Sequence, residues 1–225
     1  MPDNFLTIVI DPPETVRLQW LIFGGEDLIC LPEFFLLLYL FWKTNLNTNF
    51  TQRDCSMKVL YLHGFGSSGS STTVQRLKRS LPNSFEVIAP DIPLQPEIAL
   101  TTLKEVASHL GPDDIVVGTS MGAMYAQMMR GWRRILINPS FHPSRHLREK
   151  IGGQYDFFTP RKDGINTYTV TDKLCKKFEK MEQEQFQPKF GIVAPWGDKP
   201  ENVQAFFGTA DDVVNCKDEY LQHYS

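Results

Sequence analysis

The sequence predicts an α/β domain with a mostly parallel sheet flanked by helices. Three observations predict it. From residue 57 onward short apolar runs alternate with amphipathic stretches, a glycine-rich turn directly follows the first run, and a Gly-x-Ser-x-Gly turn joins a later run to the next helical stretch. Residues 58–62 (KVLYL) have the continuous apolar pattern of a buried strand. Residues 72–81 (TTVQRLKRSL) place Val74, Leu77 and Leu81 at helical spacing. Residues 85–89 (FEVIA) form a second strand pattern stopped by Pro90, and 99–110 a helix ended by Gly111-Pro112. Residues 115–118 (IVVG) and 134–138 (RILIN) are further strands, with helical 123–130 between them. Residues 141–200 break the rhythm and predict a small helical insert over the sheet. Within it, 174–186 (LCKKFEKMEQEQF) forms a charged helix with a narrow stripe of Leu174, Phe178 and Met181. Residues 204–207 resume the strand pattern, and 217–224 form a helix.

Composition bounds the function. The 225 residues suit one domain, with 42% hydrophobic and 22% charged residues, enough for a normal core. A formal charge of −3 gives no basic footprint for nucleic acid. Arg130, Arg133 and Arg134 form one small basic cluster, which the helical pattern before it assigns to a solvated helix end. Cys30, Cys55, Cys175 and Cys216 are scattered without a CxxC pair, which points to free thiols in a reducing cytoplasm.

The first 56 residues have a different character. The run 34–42 (FFLLLYLFW) is far shorter than the ~20 residues of a spanning helix. Acidic residues dominate the stretch before it, unlike the cationic flank of a signal peptide. Met57 opens the first strand at once, so the expectation is a leader outside the fold at 1–56 and a domain from 57 to 225.

Three motifs carry chemistry. Gly118-Thr-Ser120-Met-Gly122 stands between a strand and a helix, as a nucleophile elbow requires. There the serine hydroxyl stands free at the carboxyl end of the sheet, and the helix N-terminus faces developing negative charge. His63-Gly64-Phe65-Gly66 follows the first strand and supports two readings. One is an oxyanion loop, in which the N–H of Phe65 joins that of Met121 on a tetrahedral intermediate, with His63 bracing the loop. The other is a dinucleotide fingerprint, Gly64-x-Gly66-x-x-Gly69 with Asp91 as its acid, which leaves the serine motif without a role. Gly208-Thr-Ala-Asp211-Asp212 follows the last strand pattern, where a triad acid sits, and the order Ser120 then Asp211 fits Ser…Asp…His.

Together KVLYLHGFGSSGSS, GTSMGAMYA, INPSFHPSRHL and FFGTADDVV resemble the YqiA/YcfP-like family of small bacterial α/β-hydrolases, over Met57 to the end. The resemblance implies an α/β-hydrolase-like fold and esterase-like activity on small carboxylic esters or thioesters, without cofactor or metal. It implies Ser120 as nucleophile, Asp211 as acid, and Phe65 and Met121 as oxyanion donors, supported by His63, Gly64, Gly118 and Gly122. It also implies a histidine some two dozen residues past the acid, a position beyond Ser225. Among the histidines present, His63 reads as a brace and His109 as solvated. His142 and His146 stand at i,i+4 without a third metal ligand, and His223 lies in the predicted last helix. The expectation is therefore an impaired hydrolase of low stability, with a non-catalytic α/β-hydrolase-like binding module as the alternative.

Overall fold

The computed structural model describes residues 7–11, 15–19, 57–207 and 216–224. The apolar run 34–42, Cys30, Cys55 and the predicted acid Asp211 lie outside the described residues. In the N-terminal region β1 (Thr7–Asp11) and β2 (Thr15–Gln19) pair antiparallel.

Strand β3 (Met57–Leu62) buries Val59, Leu60, Tyr61 and Leu62 in succession, so both of its faces are covered. Helix α1 (Thr72–Ser80) starts where the Ser71 hydroxyl accepts the Val74 N–H, and it turns Val74 and Leu77 inward. Then come β4 (Phe85–Ile88) and α2 (Pro96–Ala107), which opens on proline, a residue whose missing N–H costs nothing in a first turn. Next are β5 (Ile115–Thr119), α3 (Met121–Gln127), the two-residue β6 (Met129–Arg130) and β7 (Arg133–Ile137). After α4 (Pro143–Arg148) the chain forms β8 (Gln154–Asp156), β9 (Thr167–Thr169) and α5 (Asp172–Glu184). It closes with β10 (Ile192–Val193), β11 (Val203–Phe206) and α6 (Lys217–Tyr224).

The main sheet has five parallel strands in the order β11–β7–β5–β3–β4. Counted along the chain from the β4 edge, this is 2-1-3-4-5. The order reverses between β3 and β5, and in open α/β sheets ligands bind outside the carboxyl ends of strands at such a reversal. The six-stranded dinucleotide sheet runs 3-2-1-4-5-6, and the fingerprint reading of the Gly64 loop therefore lacks its framework.

Two features depart from the sequence pattern. The segment 141–200 contains, besides its helices, an antiparallel hairpin in which Tyr155 of β8 faces Tyr168 of β9. The basic cluster is not a solvated helix end either, because α3 stops at Gln127. Arg134, 1% exposed, pairs with Asp198 at 2.5 Å and donates to the Gln127 carbonyl at 2.8 Å. Arg130 is also buried and donates to the Phe190 and Gln185 carbonyls. A buried guanidinium needs such partners, and apart from the Gln127 carbonyl they come from segments 55 to 64 residues away.

The β8–β9 connection is fastened onto the loop that follows β3. Phe158 N–H donates to Gly66 O at 2.8 Å, and the Ser68 hydroxyl donates to Pro160 O at 2.8 Å while meeting Thr159 Oγ1 at the same distance. Asp91 spans the seam, with Oδ1 accepting from Gly69 N–H at 2.7 Å and Oδ2 from Lys162 N–H at 2.6 Å. Asp91→Ala leaves both amides without their acceptor. It is expected to lower stability by about 1–3 kcal/mol and to speed hydrogen exchange at Gly69 and Lys162 selectively.

Candidate functional site

Ser120 stands between β5 and α3 with φ 54° and ψ −123°, a conformation that costs an L-residue energy. Its surroundings hold it there. Ser120 N–H donates to Ile137 O at 3.0 Å, and Ser120 O accepts from Ala123 N–H at 2.9 Å and Ser140 N–H at 3.1 Å. The side chain is half-buried at the reversal of strand order.

Glycines make this turn possible by removing atoms. A Cβ on Gly122 would stand 2.1 Å from Leu62 O, and one on Gly118 2.3 Å from Gly122 O. Strand β3, strand β5 and helix α3 therefore meet backbone to backbone. Gly64 completes the contact, since a Cβ there would lie 3.3 Å from Ser120 Cβ and 3.8 Å from Ser120 Oγ. The structure thus brings Ser120, Gly64, Gly118 and Gly122 together. It sets Met121 as the first residue of α3 and Phe65 next to Gly64, with the Phe65 ring edge-on to Tyr168 at 5.3 Å and to Phe178 at 6.2 Å.

His63 is 3% exposed and both ring nitrogens are engaged. Nε2 accepts from Ile92 N–H at 2.9 Å, so the proton sits on Nδ1, which donates to Gly64 O at 2.8 Å. Burial holds its pKa below the ordinary 6.5, which keeps the ring neutral at pH 7. This imidazole ties the Gly64 loop to the start of the β4–α2 connection and has no nitrogen left to take a proton from serine.

The other four histidines also sit in other roles. His142 lies between two carboxylates, with Nε2 2.9 Å from Glu219 of α6 and Nδ1 3.6 Å from Glu182 of α5. Those acids raise its pKa from 6.5 to about 9. Glu182 also accepts from the Ser144 N–H and hydroxyl, each at 2.7 Å. His109 and His146 are exposed, and His223 stacks on Phe186 with ring centroids 3.7 Å apart. No hydrogen bond joins Ser120 Oγ to any of the five histidines, all of which lie among the described residues. Asp91, the acid of the dinucleotide reading, spends both oxygens on backbone N–H groups. Among the described residues no group of three His, Cys, Asp or Glu side chains is placed to hold a metal, and no helix is long and apolar enough to cross a membrane.

Sequence reasoning missed two groups beside the site. One is the aromatic set in which Tyr168 meets Phe65 and is itself packed by Tyr155 and Phe157. The only signal for it was the density of rings in QYDFF and TYT. The other is the His142 cluster, whose partners stand 40 and 77 residues away in sequence.

Comparison with known proteins places the chain. Residues 58–225 match the model of the Uncharacterised protein family (UPF0227). UPF0227 proteins of Shewanella baltica (strain OS155) and Shewanella oneidensis are each 30% identical over 106 residues, aligned over 41% of this chain and 56% of theirs. The chain thus spans about half the length of the curated relatives it matches. Among solved structures, the monoacylglycerol lipase of Paleococcus ferrophilus aligns with a TM-score of 0.46 and 17% identity, over 74% of this chain and 78% of that one. With a parallel sheet flanked by helices, a Gly-Thr-Ser-Met-Gly turn at its strand-order reversal and a family match over 58–225, the chain belongs to the UPF0227 family.

Proposed function

We propose that the chain is a serine hydrolase of small carboxylic esters or thioesters that works through a Ser120 acyl-enzyme. The observation that carries this reading is the strained Ser120 turn, with Gly64 against the serine side chain. Strain at a half-buried residue of this kind persists where the surrounding structure imposes it, and here it keeps the hydroxyl clear of its own helix. Phe65 and Met121 N–H groups would receive the oxyanion, and Asp211 would supply the acid that orients a base. His63 would serve as the brace of the oxyanion loop.

The histidine survey favours a second reading beside it. With His63 bonded at both nitrogens, His142 held between acids and no hydrogen bond from any of the five histidines to Ser120, no imidazole among the described residues is placed to take its proton, and a hydroxyl without a base keeps its high pKa. Catalysis would then be impaired, or the crevice would serve binding alone. A fluorophosphonate probe followed by peptide mapping separates these cases. The expected result is slow labelling confined to Ser120 and lost in Ser120→Ala, orders of magnitude below a complete triad. Rapid labelling would overturn the impairment, and no labelling at all would favour the binding module.

A further inference from the structure

We propose that Arg161 is a positioning residue of this site, which acts through Ile92 and His63 to set the direction of the Phe65 N–H. The proposal rests on the hydrolase reading for the role of that N–H, and it adds the part of the chain that aims it.

The guanidinium is drawn inward further than its ion pair requires. Asp163, two residues on and 38% exposed, accepts from Nε at 3.1 Å and from Nη2 at 2.8 Å, a pair that an open turn can form by itself. Yet the Arg161 side chain is only 5% exposed, with Nη1 donating to Ile92 O at 3.2 Å and the group 4.7 Å over the Phe157 ring. A buried guanidinium is costly unless it is partnered in this way. These contacts tie the β8–β9 connection to the β4–α2 connection at Ile92.

Ile92 passes the constraint on. Pro93 follows it, which confines its backbone to extended conformations and links the direction of its C=O to that of its N–H. The C=O accepts from Arg161, and the N–H donates to His63 Nε2 at 2.9 Å. That bond leaves the His63 proton on Nδ1, which donates to Gly64 O at 2.8 Å. The Gly64 carbonyl and the Phe65 N–H belong to one planar trans peptide, so they point in opposite directions. Holding the carbonyl on His63, with Ser67 N–H on the same oxygen at 3.3 Å, therefore aims the N–H the other way. Phe65 N–H donates to none of the described residues, and Gly64 lies against the Ser120 side chain.

The charge of Arg161 acts in the same sense. Burial is the main cause that keeps the His63 ring neutral; Arg161 adds to it, while the Gly64 carbonyl and Asp91 favour the proton. A protonated ring would turn Nε2 from acceptor to donor and release the Ile92 N–H.

Two readouts on the full chain test the proposal. By NMR of isotope-labelled histidine, wild-type His63 is expected to show the neutral Nδ1–H tautomer at pH 7. Arg161→Met keeps an apolar stem and removes the charge and the donors. It is expected to move the His63 titration to higher pH and to admit the other tautomer. Ser68→Ala unfastens the same connection at Thr159 and Pro160 without entering this chain of bonds, and is expected to leave the His63 signals unchanged. The second readout is fluorophosphonate labelling of Ser120, with the rate at saturating probe separated from the half-saturating concentration. Arg161→Met is expected to lower the saturating rate about 10-fold, less than loss of an oxyanion donor itself would, and to change half-saturation by less than about 2-fold. Where melting curves show that Arg161→Met has lost its fold, Arg161→Lys replaces it. Its ammonium keeps the charge without the planar fork, and it is expected to admit the second tautomer and to slow labelling in the same direction. Unchanged His63 signals in a folded Arg161 variant, an equal change in Ser68→Ala, or an unchanged saturating rate overturns the proposal. Wild-type protein that takes no label at Ser120 refutes the hydrolase reading instead, and this role falls with it.

Discussion

Gly122→Ala is expected to destabilise the protein by about 3 kcal/mol or more, corresponding to a fall of roughly 6–12 °C in Tm for a domain of this size. The cause is geometric. The new methyl carbon would stand 2.1 Å from Leu62 O, 2.6 Å from Leu62 C and 2.7 Å from His63 O, all backbone atoms of β3 and the loop after it. A side chain in the way could rotate, but a strand paired on both sides inside a parallel sheet cannot. Relief requires α3 to move off β3, and that carries Ser120 away from Gly64. Differential scanning fluorimetry together with probe labelling distinguishes this account from a simple packing defect. Both Tm and Ser120 labelling are expected to fall. A variant with wild-type Tm would mean that the three backbones do not meet as closely as described.

His142 is expected to make stability fall as pH rises through about 9. Its folded pKa of about 9 lies above the ordinary 6.5, so the folded state holds the proton more tightly than the unfolded chain does. The stabilisation is fully present below pH 6.5 and is lost progressively up to and through pH 9. The groups facing the ring are Glu182 from α5, Glu219 from α6, and Arg145 of its own helix, which opposes the charge. The Cys216 thiol lies within the field of Glu219 and Arg145, and its own pKa is raised by burial. A rise from 6.5 to about 9 corresponds to roughly 3 kcal/mol, and partial exposure of the ring lowers this to roughly 2–3 kcal/mol. In urea titrations the gap between wild type and His142→Gln is expected to reach that size at pH 6 and to shrink below about 1 kcal/mol at pH 10. A gap that stays constant, or widens with pH, would show that Glu182 and Glu219 do not hold the proton.

Much of the frame was legible because local chemistry and the fold agree there. Apolar runs such as KVLYL and IVVG can only be buried strands, and the structure places β3 and β5 on them. The stripe of Leu174, Phe178 and Met181 is buried along α5 as its spacing requires. Gly118 and Gly122 were readable because a tight strand-to-helix turn excludes side chains. What could not be read depends on distant partners. Strands β8 and β9 are three residues each, too short for a period to emerge. Arg134 looked solvated because its charge is visible in sequence and Asp198 opposite it is not. His142 and His146 stand at i,i+4 without a third metal ligand, and nothing in that spacing shows that acids on two other helices set the charge of His142.

Gly118 and Gly122 also bear on how this turn can change over generations. Where main chain meets main chain there is no rotamer to exchange and no volume to redistribute, so a substitution at 118 or 122 has few routes to compensation elsewhere. The β8–β9 hairpin is the opposite case. It packs whole side chains, from strands outside the main sheet, on Phe65 of the loop after β3. The serine turn and the hairpin thus lie in parts of the chain with very different tolerance to mutation.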